Sequence, residues 1–319
     1  MSDGRELRDV REGGRWTALQ RAKNDSLWLL ASVALAMARP VPLAALRVAG
    51  RSLGRLALRV AGGARQTADA NVRRVFPELP EAERAELVRR CFVHMGELLA
   101  ESVAMLRGGT SLPPLALSAE ARAVLDEAHA EKRGVLFASA HLGPWERVAA
   151  SLVASGIPLV ALGREAYDPR FSRLIERLRG AHGVPILWRA RPGAAAGILR
   201  VLREGCVLGV PMDLRSRVLS CEAPFLGHDA PTPLGPARIA LRARAPVVVG
   251  TVAPGPGGLE VTATRVPTAD LARDDAGART LTARINEELS RRILAMPHAW
   301  PWMHDRWGPA SARAAASGV

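Results

Sequence analysis

His141 and Glu146 are the residues whose types and spacing point most directly to chemistry. They stand in Ser139-Ala140-His141-Leu142-Gly143-Pro144-Trp145-Glu146, between the apolar run Val135 to Ala138 and a helical pattern reaching Ala154. The order predicts strand, turn and helix. Pro144 suits the first helical position, because its ring presets φ and its missing N–H would have no partner there. His141 then falls in the turn and Glu146 in the first helical turn, and a turn can fold the two side chains together where a continuous helix at this spacing does so poorly. An imidazole near neutral pKa can remove a proton from a hydroxyl while a carboxylate orients the ring and stabilises the imidazolium. The plainer alternative is a polar turn histidine beside an acidic residue favoured by the helix dipole. Strand-end loops are nevertheless where catalytic groups concentrate.

The elements that must position this pair follow from the surrounding pattern. From Gly134 onward, apolar runs alternate with helical ones: Pro158 to Leu162, then Pro169 to Gly180; Val184 to Trp188, then Ala194 to Glu204; Cys206 to Val210, then Pro236 to Arg244; and Pro246 to Val252. Such alternation predicts an α/β fold with a mostly parallel or mixed central sheet and flanking helices. The connection from Asp213 to Pro233 is too long for a simple crossover, which makes it a candidate lid or binding loop. Residues 66–106 read as helices interrupted at Pro77 and restarted at Pro80, and Pro113 and Pro114 mark a linker.

The N-terminal part has a different character. Residues 1–25 are polar and of mixed charge, without the order of a secretory signal. Leu27 to Ala38 is an uncharged run of twelve, short of the roughly 20 residues that cross a bilayer. Arg47, Arg51, Arg55 and Arg59 then recur at every fourth residue among leucines and valines, the pattern of a helix lying on an anionic membrane surface. Three parts are therefore expected: a membrane-associating helical segment over 1–65, an α/β domain over 66–310 and a flexible tail over 311–319. Gly50-Arg51-Ser52-Leu53-Gly54 matches the Gly-x-Ser-x-Gly pattern of serine hydrolases. That reading fails, because a nucleophile elbow needs a preceding strand and this serine lies inside a helical repeat.

The net charge of +13 implies an anionic partner, although only Lys23 and Lys132 among the 44 basic residues are lysine, so part of the arginine excess reflects composition bias. Nucleic acid is disfavoured as that partner: there is no binding motif, and one Tyr and five Phe leave few rings to stack on bases. Cys91, Cys206 and Cys221 are widely spaced and unpaired in pattern, which implies reduced thiols, and neither they nor the seven histidines show metal-ligand spacing.

Six stretches together resemble the bacterial lipid A biosynthesis acyltransferases, the lauroyl and myristoyl late acyltransferases of the lysophospholipid acyltransferase superfamily. They are Asn71 to Glu78 (NVRRVFPE), His141 to Glu146 (HLGPWE), Gly163 to Pro169 (GREAYDP), Gly209 to Arg217 (GVPMDLRSR), Ala223 to Ala237 (APFLGHDAPTPLGPA) and Trp300 to Trp307 (WPWMHDRW), in the family's order. The resemblance implies transfer of a fatty acyl chain from an acyl carrier protein or CoA thioester to a hydroxyl of a phosphorylated lipid A precursor, at the cytoplasmic face of the inner membrane. It implies His141 as the base and Glu146 as its partner. Substrate contacts would come from Arg164, which could neutralise phosphate or an oxyanion, and from Asp213, Arg215 and Thr232. Should Glu146 not hold the ring, Asp213 is the next candidate.

This chemistry suits the residues. A thioester is already activated, so transfer to an alcohol needs a base and oxyanion stabilisation, without a metal, another cofactor or a covalent serine. The resemblance leaves the acceptor open between a lipid A precursor and another membrane glycolipid or phospholipid. The readings from other classes are a basic membrane- or nucleic-acid-binding protein without activity, and an inactive scaffold.

Overall fold

A computed structural model describes residues 14–107, 112–216 and 218–308. Its centre is a seven-stranded sheet in the order β1-β9-β8-β2-β5-β3-β4, with β1 Ala116–Leu117, β2 Val135–Ser139, β3 Leu159–Gly163, β4 Ile186–Trp188, β5 Val207–Pro211, β8 Val247–Gly255 and β9 Gly258–Val266. Every pairing is parallel except β8 with β9. This is the expected α/β fold with a mostly parallel, mixed sheet. The inner strands are apolar throughout, as strands covered on both faces must be: Val135, Leu136, Phe137 and Ala138 of β2 and Val207 and Leu208 of β5 are all buried.

Two of the helices beside the sheet carry side-chain caps at their starts. α5 (Ala119–Ala130) begins at Ser118, whose side chain accepts from the Ala121 N–H, and α7 (Pro169–Gly180) begins at Asp168, which accepts from the Arg170 N–H ahead of Pro169. α6 (Trp145–Ala154) follows Pro144, and α8 (Ala194–Arg203) and α9 (Gly235–Ala243) complete the crossovers. Two elements stand outside the alternation expected from sequence, the antiparallel β9 and the long α10 (Asp275–Ala295). β9 carries the alternation of a strand, with Val261 and Ala263 buried against neighbours more exposed than they are. The connection from Asp213 to Pro233 is largely a hairpin, β6 (Ser220–Phe225) with β7 (His228–Pro233). Phe225, Ala230 and Thr232 of this hairpin are wholly buried and Leu226 N–H bonds Ser290 Oγ on α10, so among the described residues of the connection little besides 214–216, 218 and 219 remains as a loop.

Four helices precede the sheet: α1 (Ala18–Ala38), α2 (Leu43–Val60), α3 (Gly62–Val75) and α4 (Glu81–Met105). None of the described helices is long and apolar enough to cross a membrane. α2 packs on α4 at backbone contact: a Cβ on Gly50 would lie 2.3 Å from the Gly96 carbonyl oxygen, and one on Gly54 2.3 Å from that of Phe92. The two glycines of the Gly-x-Ser-x-Gly match are thus helix-packing residues. The arginine series splits between two faces, because a four-residue step advances about 40° around a helix of 3.6 residues per turn. Arg47 and Arg51 reach Glu101 and Glu97 of α4 at 2.5 and 2.7 Å, whereas Arg55 and Arg59 are exposed. The expected boundary near residue 65 falls inside α3, and the expected tail lies outside the described residues.

Candidate active site

The register of two central strands builds the site. β2 and β5 run parallel with Val135 opposite Val207 and Ser139 opposite Pro211. Two residues further along each strand, the same register sets His141 beside Asp213 at the carboxyl edge of the sheet, where ligands of open α/β sheets bind. The Met212 N–H bonds the Ser139 carbonyl at 2.9 Å and holds the two exits together.

Asp213 is wholly buried. Its Oδ2 accepts the His141 backbone N–H at 2.8 Å and the Trp300 indole N–H at 2.9 Å, and its Oδ1 lies 2.9 Å from His141 Nδ1. An ionised carboxylate only accepts, so Nδ1 carries the proton and Nε2 is the basic atom. Burial would push the imidazole down, but the charge and hydrogen bond of Asp213, helped by the charge of Glu146, hold it above its ordinary range. Burial likewise pushes Asp213 up, and it is overcome by the facing imidazole and by the bonds from His141 and Trp300, which keep the carboxyl below the ordinary range. The turn that presents His141 requires Gly143, whose φ is +60° and whose N–H bonds the Ala299 carbonyl at 3.0 Å. Trp145 meets the imidazole edge-on at 5.1 Å.

Glu146 occupies the first turn of α6 as expected, but both its oxygens are taken by Arg179 of α7, through Nε at 2.9 Å and Nη2 at 2.8 Å. This two-pronged bond is the strongest geometry an arginine and a carboxylate can make. The ring is therefore oriented by Asp213. Glu146 acts on it through space, where its effect is opposed by the Arg179 charge.

His141, Glu146 and Arg179 stand on the wall of a cavity of about 680 Å³. Leu162, Trp188, Ile198, Leu208, Val210 and Ile239 give it an apolar interior, while Arg164, Arg189 and Arg215 add cationic groups. Of the residues expected to contact substrate, Arg164 and Arg215 line this cavity. Arg215 pairs with Asp305 at 3.1 Å and gives its backbone N–H to His304 Nε2 at 3.0 Å. Asp213 lies behind the histidine. Thr232 is wholly buried, and its hydroxyl accepts from Arg306 at 2.7 Å and Asn286 at 2.9 Å while donating to the Ala230 carbonyl at 3.1 Å. Those three partners fill its hydrogen-bonding capacity, and it is structural in this arrangement.

Arg179, Trp300 and His304 were not singled out by sequence reasoning as site residues. Trp300 and His304 belong to WPWMHDRW, so a signal was present; Arg179 is one of several arginines on α7 and had none. The strap from Pro297 to Trp307 is locked in place by Asn71, whose amide donates to the carbonyls of Trp302 and His304 at 2.8 Å each, and by Cys91, whose thiol donates to the Trp300 carbonyl at 3.1 Å. Arg306 anchors its far end, wholly buried, and burial outweighs the charges of Asp213 and Glu222 and lowers its pKa to about 10.

The family model described as bacterial lipid A biosynthesis acyltransferase matches residues 17–308. No curated protein matches the chain.

Proposed function

The chain belongs to the bacterial lipid A biosynthesis acyltransferase family, and on that premise we propose that it transfers a fatty acyl chain from a thioester donor, acyl carrier protein or CoA, to a hydroxyl of a lipid A precursor, with His141 as general base. The observation that carries this reading is the buried Asp213 bonded to His141 Nδ1 at 2.9 Å beside a large apolar cavity.

His141 Nε2 takes the proton of the acceptor hydroxyl as its oxygen bonds to the thioester carbonyl carbon. The carbonyl π pair moves to oxygen, and the cationic side chains on the cavity wall, Arg164 foremost, offset that charge. Collapse of the tetrahedral intermediate expels the thiolate, and the imidazolium returns the proton to the sulfur. Asp213 stabilises the imidazolium between the two transfers, as a buried carboxylate does in other base dyads. The acyl chain lies along Leu162, Val210 and Leu208, and the acceptor phosphate near Arg189 and Arg215. None of these steps calls for a metal or another cofactor.

The enzyme works at the cytoplasmic face of the inner membrane. Supporting this, α1 and α2 expose Leu30, Met37, Leu56 and Val60 together with Arg55 and Arg59. A wild-type chain needing detergent or high salt for release, beside a full-length Leu30→Glu, Met37→Glu variant released without either, is the expected fractionation result; equal release of both would overturn it.

The function is tested by incubating the purified full chain with a long-chain acyl thioester and a lipid A precursor and weighing the products. Gain of one acyl chain, lost with His141→Ala, is expected. An unmodified precursor beside an acylated phospholipid or glycolipid would move the acceptor to that class.

A further inference from the structure

α1 touches the rest of the molecule along one stripe. Gln20, Asn24, Trp28, Ala31, Ser32 and Leu35 are half-buried at the three- and four-residue spacing of a single helix face, and no residue of the helix is fully buried. On the opposite face Leu19, Leu29, Leu30 and Met37 are 81, 65, 67 and 70% exposed. Leu35 is thus the one large aliphatic side chain in a contact stripe otherwise made of polar, aromatic and small groups, while Leu19, Leu29, Leu30 and Met37 face away from the protein. That orientation fits a second apolar medium on the outer side. The surrounding charge selects which one: from Gly14 to Val60 the sole acidic residue is Asp25, already engaged by Arg170, whereas Arg21, Arg39, Arg55 and Arg59 are exposed. The occupant is an anionic lipid bilayer.

The contact stripe converges on one cation of α7. Arg170 lies over the rings of Trp16 and Trp28 at 5.8 and 5.6 Å, pairs with Asp25 of α1 at 2.7 Å, and grips Asp168 through Nε at 3.0 Å and Nη2 at 2.7 Å. Trp28 also meets Phe171 edge-on at 5.4 Å, and Trp16 stacks on Tyr167 at 6.0 Å. Asp168 caps α7, which carries Arg179 to the cavity wall, and the loop ending at Asp168 begins with cavity-lining Arg164. One cluster therefore fixes both the outward helix and one side of the cavity.

We infer that Arg170 is a positioning residue that couples bilayer contact, made through the outer face of α1, to the shape of the cavity at Arg164 and Arg179. A bilayer that holds α1 flat favours its docked orientation, and the clamp passes that restriction to residues 164–172. The effect on turnover rests on the acyltransferase reading; the coupling itself does not.

Amide hydrogen exchange of the full chain, with and without phosphatidylglycerol vesicles, tests the coupling. Vesicles are expected to slow exchange over residues 18–38 in both wild type and Trp28→Ala, but over 164–172 only in wild type, there by about five-fold or more. Trp28 sits at the rim of the fold, so the variant tests the clamp even if Arg170→Ala fails to fold. Unchanged exchange over 18–38 would remove the bilayer as occupant. An identical response of 164–172 in wild type and Trp28→Ala would overturn the coupling.

Turnover gives a second readout: Arg170→Ala should raise the KM for acceptor in vesicles about ten-fold with a smaller change in kcat, and Arg170→Lys should recover part of it. An unchanged KM would contradict the inference. A chain that shows the exchange pattern yet transfers no acyl group would refute the proposed reaction while leaving the coupling established.

Discussion

Trp300 donates its indole N–H to Asp213 Oδ2 over 2.9 Å, with both side chains wholly buried. A residue of the C-terminal strap thereby holds the carboxylate that orients His141, across 87 positions of sequence. Phe225 and Trp302 pack on the same indole at 5.7 and 4.8 Å, so Trp300→Phe keeps most of the packing and removes the donor. A hydrogen bond to a charged group is worth about 1.5–3 kcal/mol. Trp300→Phe should therefore lower kcat by about ten-fold or more while leaving donor KM nearly unchanged, measured by steady-state transfer.

The pH profile follows from the same pair. On the proposed mechanism His141 acts as a base when neutral, and Asp213 together with Glu146 holds its pKa above the ordinary value of 6.5. The rate should rise with pH through an apparent pKa above 6.5. Asp213→Asn removes the larger of the two raising charges, so the residual activity should rise at lower pH than wild type. A limb that does not move would place the titration elsewhere.

Glu146 and Arg179 should behave as a unit. Glu146→Gln removes a charge that raises the imidazole and should shift the limb down; Arg179→Met removes one that lowers it and should shift the limb up. The double variant should lie between them and cost less in rate than the sum of the singles in logarithmic terms, since each single leaves a charge without its partner. Additive losses with no opposed pH shifts would show that the pair does not act on His141.

Stability offers a test away from the site. Gly96→Ala would place a Cβ 2.0 Å from the Gly50 carbonyl oxygen, forcing α2 and α4 apart. A loss of about 1–3 kcal/mol is expected in denaturant unfolding, with near-normal activity in the surviving fold. An unchanged midpoint would mean that the helices separate at no cost.

How much of this was legible in the sequence depended on whether the cause was local. The apolar runs from Val135 to Val252 carry the sheet because buried parallel strands must be apolar throughout, and Pro144, Pro169 and Asp168 mark helix starts by backbone chemistry alone. The position of His141 in the turn after β2 was legible from the strand–turn–helix pattern, and so was that of Arg164 directly after β3. Spacing pointed to Glu146 as the partner of His141, whereas the carboxylate hydrogen-bonded to its Nδ1 is that of Asp213. Glu146 is near in sequence, but Asp213 reaches the ring through a strand register 72 residues long in the chain, and no local pattern encodes that. Thr232 shows the opposite case: a polar residue in a matching stretch that the fold uses to satisfy the buried Arg306 and Asn286. The arginines at four-residue spacing looked alike, and only the precession of the helix across α4 separates the paired Arg47 and Arg51 from the exposed Arg55 and Arg59.

The decisive measurement compares single-turnover acyl transfer by Asp213→Asn and Glu146→Gln, with saturating thioester donor at neutral pH and both variants confirmed folded. With His141 as the base and Asp213 as its orienting partner, Asp213→Asn should lose about 10²- to 10⁴-fold in rate and Glu146→Gln distinctly less. A near-normal rate for Asp213→Asn beside an abolished rate for Glu146→Gln would contradict the assignment and return the role of partner to Glu146.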